Sequence, residues 1–268
     1  MLRKLRDLEE FVVEASDGEV GTVKDFLVDD DSWTIKHLVV QTGGFFDGRR
    51  VLISPASFRQ ADWEGNRFLL ALTVDKVKNS PSVDVDKPVS RQHERDFALY
   101  YGYPIYGGAV GLGGLGAYPG LLAGGGPGAT FSGSSDQAPG DVHLRSAAKL
   151  RGYHIQGSDE TIGHVDDFIV DDESWELRYL VIDTSNWWLG KKVLVAPRWA
   201  SRVSWEEQKV YVDMSRQAIK NSPVWNAAAA VEREYEIRLY DHYGRLAYWA
   251  GDKRPKDAQQ PQQADAAR

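Results

Sequence analysis

Several residue combinations in this chain could do chemistry. Gly111-x-Gly113-x-x-Gly116 spells a dinucleotide-binding fingerprint. Such a motif works when a strand precedes it and a helix follows, so that backbone amides converge on a pyrophosphate. Here it lies in low-complexity glycine sequence with Pro119 just after it, which reads as linker. Asp29-Asp30-Asp31 and Asp171-Asp172-Glu173 are the oxygen-rich clusters that hard cations use. Consecutive turn residues point in different directions, however, and the EF-hand spacing is missing, so solvated turns are expected. The six histidines, His37, His93, His143, His154, His164 and His242, show no His-x-x-x-His spacing. There is no cysteine, which excludes disulfides, thiolate metal sites and cysteine nucleophiles. Neither a Gly-x-Ser-x-Gly elbow nor a Gly-Lys-Ser/Thr phosphate loop occurs. The expectation is no catalytic, cofactor or metal site, and a protein that is not an enzyme.

The most suggestive cluster is one built for contact. Phe45-Phe46-Asp47-Gly48-Arg49-Arg50 aligns with Trp187-Trp188-Leu189-Gly190-Lys191-Lys192. Each places two aromatics beside a glycine and two basic residues at what reads as a hairpin tip. Aromatic area with neighbouring cations is what interface hot spots use. Phe45, Phe46, Arg49, Arg50, Trp187, Trp188, Lys191 and Lys192 are therefore the candidate docking residues. The alternative reading folds one aromatic inward to close the domain end.

That alignment comes from an internal repeat, the feature that sets the architecture. Shifted by 142 positions, the sequence matches itself without a gap from Leu2 to Gly102, with about a third of positions identical. Asp25-Phe26-Leu27-Val28-Asp29-Asp30 falls on Asp167-Phe168-Ile169-Val170-Asp171-Asp172, and Lys78-Asn79-Ser80-Pro81 on Lys220-Asn221-Ser222-Pro223. The unit is too long for a solenoid repeat, so a domain has been duplicated. Domains are expected at 2–103 and 141–251. A Gly-rich tether is expected over 104–140 and a disordered tail over 252–268, both poor in large apolar residues.

Within the first copy, β-branched and aromatic runs predict strands at Phe11–Ala15, Val20–Val28, Trp33–Thr42, Arg50–Ser54, Phe58–Trp63 and Arg67–Thr73. Ser16-Asp17-Gly18 and Glu64-Gly65-Asn66 read as turns. A short helix is expected over Val74–Asn79 and a longer one over Ser90–Tyr101, capped by Gly102. In the second copy, Val231, Tyr235, Leu239 and Tyr243 recur at steps of four, predicting a helix over Ala227–Tyr243. Trp33, Trp63, Trp175 and Trp205 are expected inside strands, facing the core.

The chain carries 32 Lys plus Arg against 39 Asp plus Glu, a formal net charge of −7. It lacks the basic footprint of a general nucleic-acid binder. The start of the sequence is charged and has no signal-peptide h-region. No stretch reads as a membrane-spanning helix, so membrane association is at most peripheral and a cytoplasmic location is expected.

Gly21-x-Val23-x-Asp25-Phe26-x-Val28-Asp29, then Trp33-x-Ile35-x-x-Leu38-Val39-Val40, then Val51-Leu52-Ile53-x-Pro55 resembles the PRC-barrel domain. The second copy repeats the pattern at Gly163, Val165, Asp167, Phe168, Trp175, Leu177, Leu180, Val181, Ile182, Val193, Leu194, Val195 and Pro197. The resemblance implies a mainly β fold: two small PRC-type β-barrels, each with a C-terminal helix, joined by the Gly-rich linker. It also implies a bacterial protein that acts as an adaptor or scaffold through protein–protein contacts, its partners unidentified; from the residues themselves no cofactor is expected, and from the repeat the two barrels are expected to dock on each other. The family includes the cytoplasmic domain of the photosynthetic reaction-centre H subunit, so a peripheral place in a membrane electron-transfer assembly is one alternative. An enzyme or small-molecule binder using a cleft between the barrels is the other.

Overall fold

The structure, a computed structural model, describes residues 1–43, 48–81, 97–102, 144–184 and 191–252. The first copy contributes β1 (Leu2–Lys4), β2 (Val12–Ala15), β3 (Gly18–Asp29), β4 (Thr34–Thr42), β5 (Arg50–Ile53), β6 (Phe58–Asp62), β7 (Arg67–Leu70), α1 (Val74–Lys78) and a helical segment α2 over 97–101. The second contributes β8 (Leu144–Ser146), α3 (Ala147–Leu150), β9 (His154–Gln156), β10 (Thr161–Asp171), β11 (Leu177–Asp183), β12 (Lys192–Val195), β13 (Ala200–Ser204), β14 (Lys209–Val212), α4 (Arg216–Lys220) and α5 (Arg233–Tyr243). The six predicted strands and the short helix are all present, each end within three residues of its expected place.

The compact units do not coincide with the sequence copies. One unit comprises Glu9–Ala147; the other comprises Met1–Leu8 with Ala148–Arg268. The cause is a reciprocal exchange of first strands. β1 pairs antiparallel with β10, Leu2 opposite Asp171 and Lys4 opposite Ile169. β8 pairs antiparallel with β3, Leu144 opposite Asp29 and Ser146 opposite Leu27. Adding 142 to each residue of the β1 pairing that belongs to the first copy, and subtracting it from its partner, reproduces the β8 register.

In the Glu9–Ala147 unit the sheet runs β5-β4-β3-β2-β7-β6, with β8 as a seventh strand beside β3. The β2–β7 pairing is parallel and the others are antiparallel. Long β3 bonds β2 along its start and β8 along its end. The other unit repeats this as β12-β11-β10-β9-β14-β13 with β1 beside β10. Each path has two ends, and no ladder among the described residues joins β5 to β6 or β12 to β13. Of the barrel expected from sequence the ladders describe these two seven-stranded paths, whose end strands are joined in sequence by the 3₁₀ turns Pro55–Ser57 and Pro197–Trp199.

Alternation buries Val13, Val23, Phe26, Val28, Leu38, Val40, Val51, Ile53 and Phe68. The opposite face of the central strands is covered as well. Leu27, Val39 and Leu52 cluster with Phe97 of α2 and with Leu144 of the exchanged β8, and Tyr101 packs against them. Covering both faces explains why these strands read as continuous apolar runs. Full burial of one such side chain stabilises by about 1.5–3 kcal/mol, so Leu144 contributes an appreciable part of the unit it completes.

Two local expectations change. Helix α5 begins at Arg233 and not at Ala227. The Asn226 side chain accepts from Ala228 N at 3.0 Å, and Ala229 N bonds Asn226 O at 2.9 Å, a turn that competes with helix. It ends as expected, at Gly244 in the left-handed region with φ 60°. The four tryptophans sit in turns and not in strands; Trp33 and Trp175 adopt φ 54° and 58°, and of the four only Trp175 is buried. Their amides close the acidic turns on Asp29 O and Asp171 O, both at 2.8 Å. The helix expected over Ser90–Tyr101 is described only from 97. The linker 104–140 and most of the tail, from 253, lie outside the described residues.

Candidate functional site

Three of the four basic residues at the two hairpin tips have structural bonds. Arg49 donates from Nη2 to Ser80 O. Lys191 donates from Nζ to Lys220 O at 2.6 Å and Ser222 O at 2.7 Å. Both therefore satisfy carbonyls at or just past the C-terminal ends of α1 and α4, where the chain leaves C=O groups without helical partners. The repeated Lys-Asn-Ser-Pro segment is the stop these bonds seal. Burial, by desolvating the ammonium, lowers the Lys191 pKa. Lys192 pairs with Asp166 at 2.7 Å, while Arg50 is exposed. Phe45, Phe46, Trp187 and Trp188 lie outside the described residues.

The acidic turns serve the strand exchange. Arg3 of β1 bridges to Asp172 at 2.6 Å, and Arg145 of β8 bridges to Asp30 at 3.3 Å. Behind each turn is a buried aspartate. Asp25 accepts from Phe26 N at 2.7 Å and from the hydroxyl of Ser146 in β8. Asp167 accepts from Arg6 N at 3.3 Å, with the Arg151 guanidinium at 3.9 Å; burial still raises its pKa. Asp29 itself ties the turn, accepting from Ser32 N at 2.8 Å and Asp31 N at 3.2 Å. Among the described residues no group of three His, Cys, Asp or Glu side chains is placed to hold a metal.

A third cluster, missed from sequence, gathers on the unit that contains α5. Glu236 of α5 is 2% exposed. It accepts from the Tyr179 hydroxyl at 2.6 Å and the Tyr248 hydroxyl at 3.0 Å, and Arg233 reaches it at 2.9 Å. Burial and this carboxylate raise the Tyr179 pKa and push that of Tyr248 up to about 12, so both phenols stay donors. Outward from this knot, the Arg178 guanidinium stacks 4.1 Å from the Tyr248 ring centre and that of Arg233 lies 4.0 Å over Trp249. Tyr240 and Trp249 meet edge to face at 5.1 Å, as do Trp199 and Tyr240. Arg198 and Arg233 are about half exposed, at 45% and 51%. The members come from β11, a 3₁₀ turn, α5 and the segment after it. The only sequence signal was the density of aromatics from Tyr235 to Trp249.

The family model for the PRC-barrel domain matches the chain twice, over residues 3–76 and 143–218, more than half of its length. The chain belongs to the PRC-barrel domain family. No curated protein matches it. Each PRC-barrel match begins in an exchanged strand, at Arg3 in β1 and just before Leu144 in β8. The strand that sequence assigns to one PRC-barrel copy is thus spent on completing the other copy's sheet. Both matches stop before α2 and α5, so Glu236, Tyr248 and Trp249 lie beyond the stretch the PRC-barrel model matches.

Proposed function

We propose that this tandem PRC-barrel chain is a docking protein that works by binding other proteins, with the arginine–aromatic face of the α5 unit as one contact surface. The observation that carries the reading is the set Arg198, Arg233, Tyr248 and Trp249, all part-exposed, with Arg233 and Tyr248 bonded to buried Glu236, Arg198 paired with Glu176, and Trp249 under the Arg233 guanidinium. Arg, Tyr and Trp are the residues that dominate hot spots, and rings already stacked on guanidinium groups lose little freedom when covered. Two units on one chain raise the effective concentration of the second contact once the first is made.

The test is affinity purification of the full chain from its source cells beside an Arg233→Ala/Trp249→Ala variant. A protein recovered with the wild type is then titrated calorimetrically against both. Binding at least ~10-fold weaker to the variant is expected for a hot spot of about 1.4 kcal/mol or more. Equal affinities for every recovered protein, or no recovered protein, would remove the arginine–aromatic face from the account.

A further inference from the structure

We infer that the strand-acceptor edges of β3 and β10 are an interaction surface for a second copy of this chain, which donates β1 or β8 in trans. The inference stands apart from the docking reading above, since it concerns other residues and another partner.

The two acceptor edges are chemically alike. Each presents the end of a long strand, Leu27–Asp29 or Ile169–Asp171, in an antiparallel ladder of the same register. Each offers a buried aspartate and an acidic turn, Asp25 with Asp30 or Asp167 with Asp172. The two donors are alike too, since both begin Leu-Arg, at Leu2-Arg3 and Leu144-Arg145. Arg3 meets Asp172 as Arg145 meets Asp30. A donor therefore carries nothing that identifies its own chain. An edge strand without its donor is a template for any matching strand, and here the best-matched strand available is on a second copy.

The hinges are built alike. Glu10, just after the β1 segment, adopts φ 68°, and the equivalent Gly152 adopts φ 88°. Glu10 N bonds Val23 O at 2.8 Å and Gly152 N bonds Val165 O at 2.7 Å. The chain is pinned to β3 or β10 at the hinge, and only the segment before it is exchanged. The contacts made in cis and in trans are then the same, so the balance is set by concentration. A tether gives a donor an effective concentration on the order of millimolar, so the single-chain form dominates in dilute solution and the trans form grows with concentration.

The absence of native cysteine makes the test direct. Asp172 N bonds Met1 O and Leu5 N bonds Phe168 O, both at 2.9 Å. That alternation makes Leu2–Asp171 a non-hydrogen-bonded pair, the closer kind in an antiparallel ladder. Two full-length chains are prepared, one Leu2→Cys and one Asp171→Cys. They are unfolded together, refolded at a series of concentrations and oxidised. The inference expects a disulfide-linked product at about twice the 30.0 kDa chain mass, in excess of that from either chain alone, its yield rising in proportion to concentration. A chain bearing both substitutions should cross-link at single-chain mass in dilute solution. If mixed chains give no more product than either alone up to ~1 mM, the inference fails. Ser146→Cys on one chain with Leu27→Cys on the other reports the second seam, so misfolding of one pair does not decide the outcome.

Discussion

His37 shows how one side chain can tie a unit's stability to pH. It is buried in β4, its ring 6.1 Å from that of Phe97. Burial, reinforced by Lys36, lowers its pKa from 6.5 to about 4. The unfolded chain therefore binds this proton from pH 6.5 downward, and the folded chain only near pH 4. Between those values the unfolded state holds more protons, so stability falls as pH falls. The full contribution is present above pH 6.5. At about 1.4 kcal/mol per pKa unit, the loss on reaching pH 4 is on the order of 3 kcal/mol. Urea midpoints of the wild type and His37→Phe should diverge at pH 7 and pH 4.5 by different amounts, with the variant less sensitive to acid. An NMR titration placing the folded His37 near 6.5 would refute this. In the other unit the equivalent position is Tyr179, bonded to Glu236, so the two copies use one buried site for different polar groups.

At the scale of elements, close packing of strands leaves no room for some side chains. A Cβ on Gly21 would lie 1.9 Å from Gln41 O, and one on Gly163 2.2 Å from Asp183 O. Gly102 faces open space, but its φ of 76° still disfavours an L side chain. Gly21→Ala must push β3 and β4 apart and should cost about 3 kcal/mol, whereas Gly102→Ala should cost about 1 kcal/mol. Thermal melts followed by circular dichroism compare them, and equal shifts would contradict the close approach. The strands were legible because β-branched runs and turn residues are local signals. Leu2–Lys4 was not, because three residues carry no period, and periodicity names an element without naming its partner. The acidic turns were legible as turns, but their arginine partners lie more than a hundred residues away. Of the proposed docking cluster, Arg49 and Lys191 bond carbonyls at the ends of the short helices. A basic side chain beside a helix stop and one beside a binding partner look the same in sequence.

At the scale of the whole molecule, the exchange makes the halves interdependent. A protease site placed within 104–140 and then cut should leave two pieces that still co-elute on gel filtration, because each unit needs a strand from both pieces. Pieces that separate in dilute native buffer would argue for self-contained halves. Dissociation and unfolding by urea should coincide, since losing a donor strips β3 or β10 of a ladder and an arginine–aspartate bridge. The same interlocking dictates an order of events on the ribosome. When residue 102 has emerged, the first sheet still lacks its Leu144–Ser146 strand. At about 5–20 residues per second the wait is roughly 2–9 s. During that interval the nascent chain exposes a sticky β3 margin to its neighbours on a polysome, which makes translation speed through the glycine-rich stretch a determinant of whether newborn chains close on themselves or on one another.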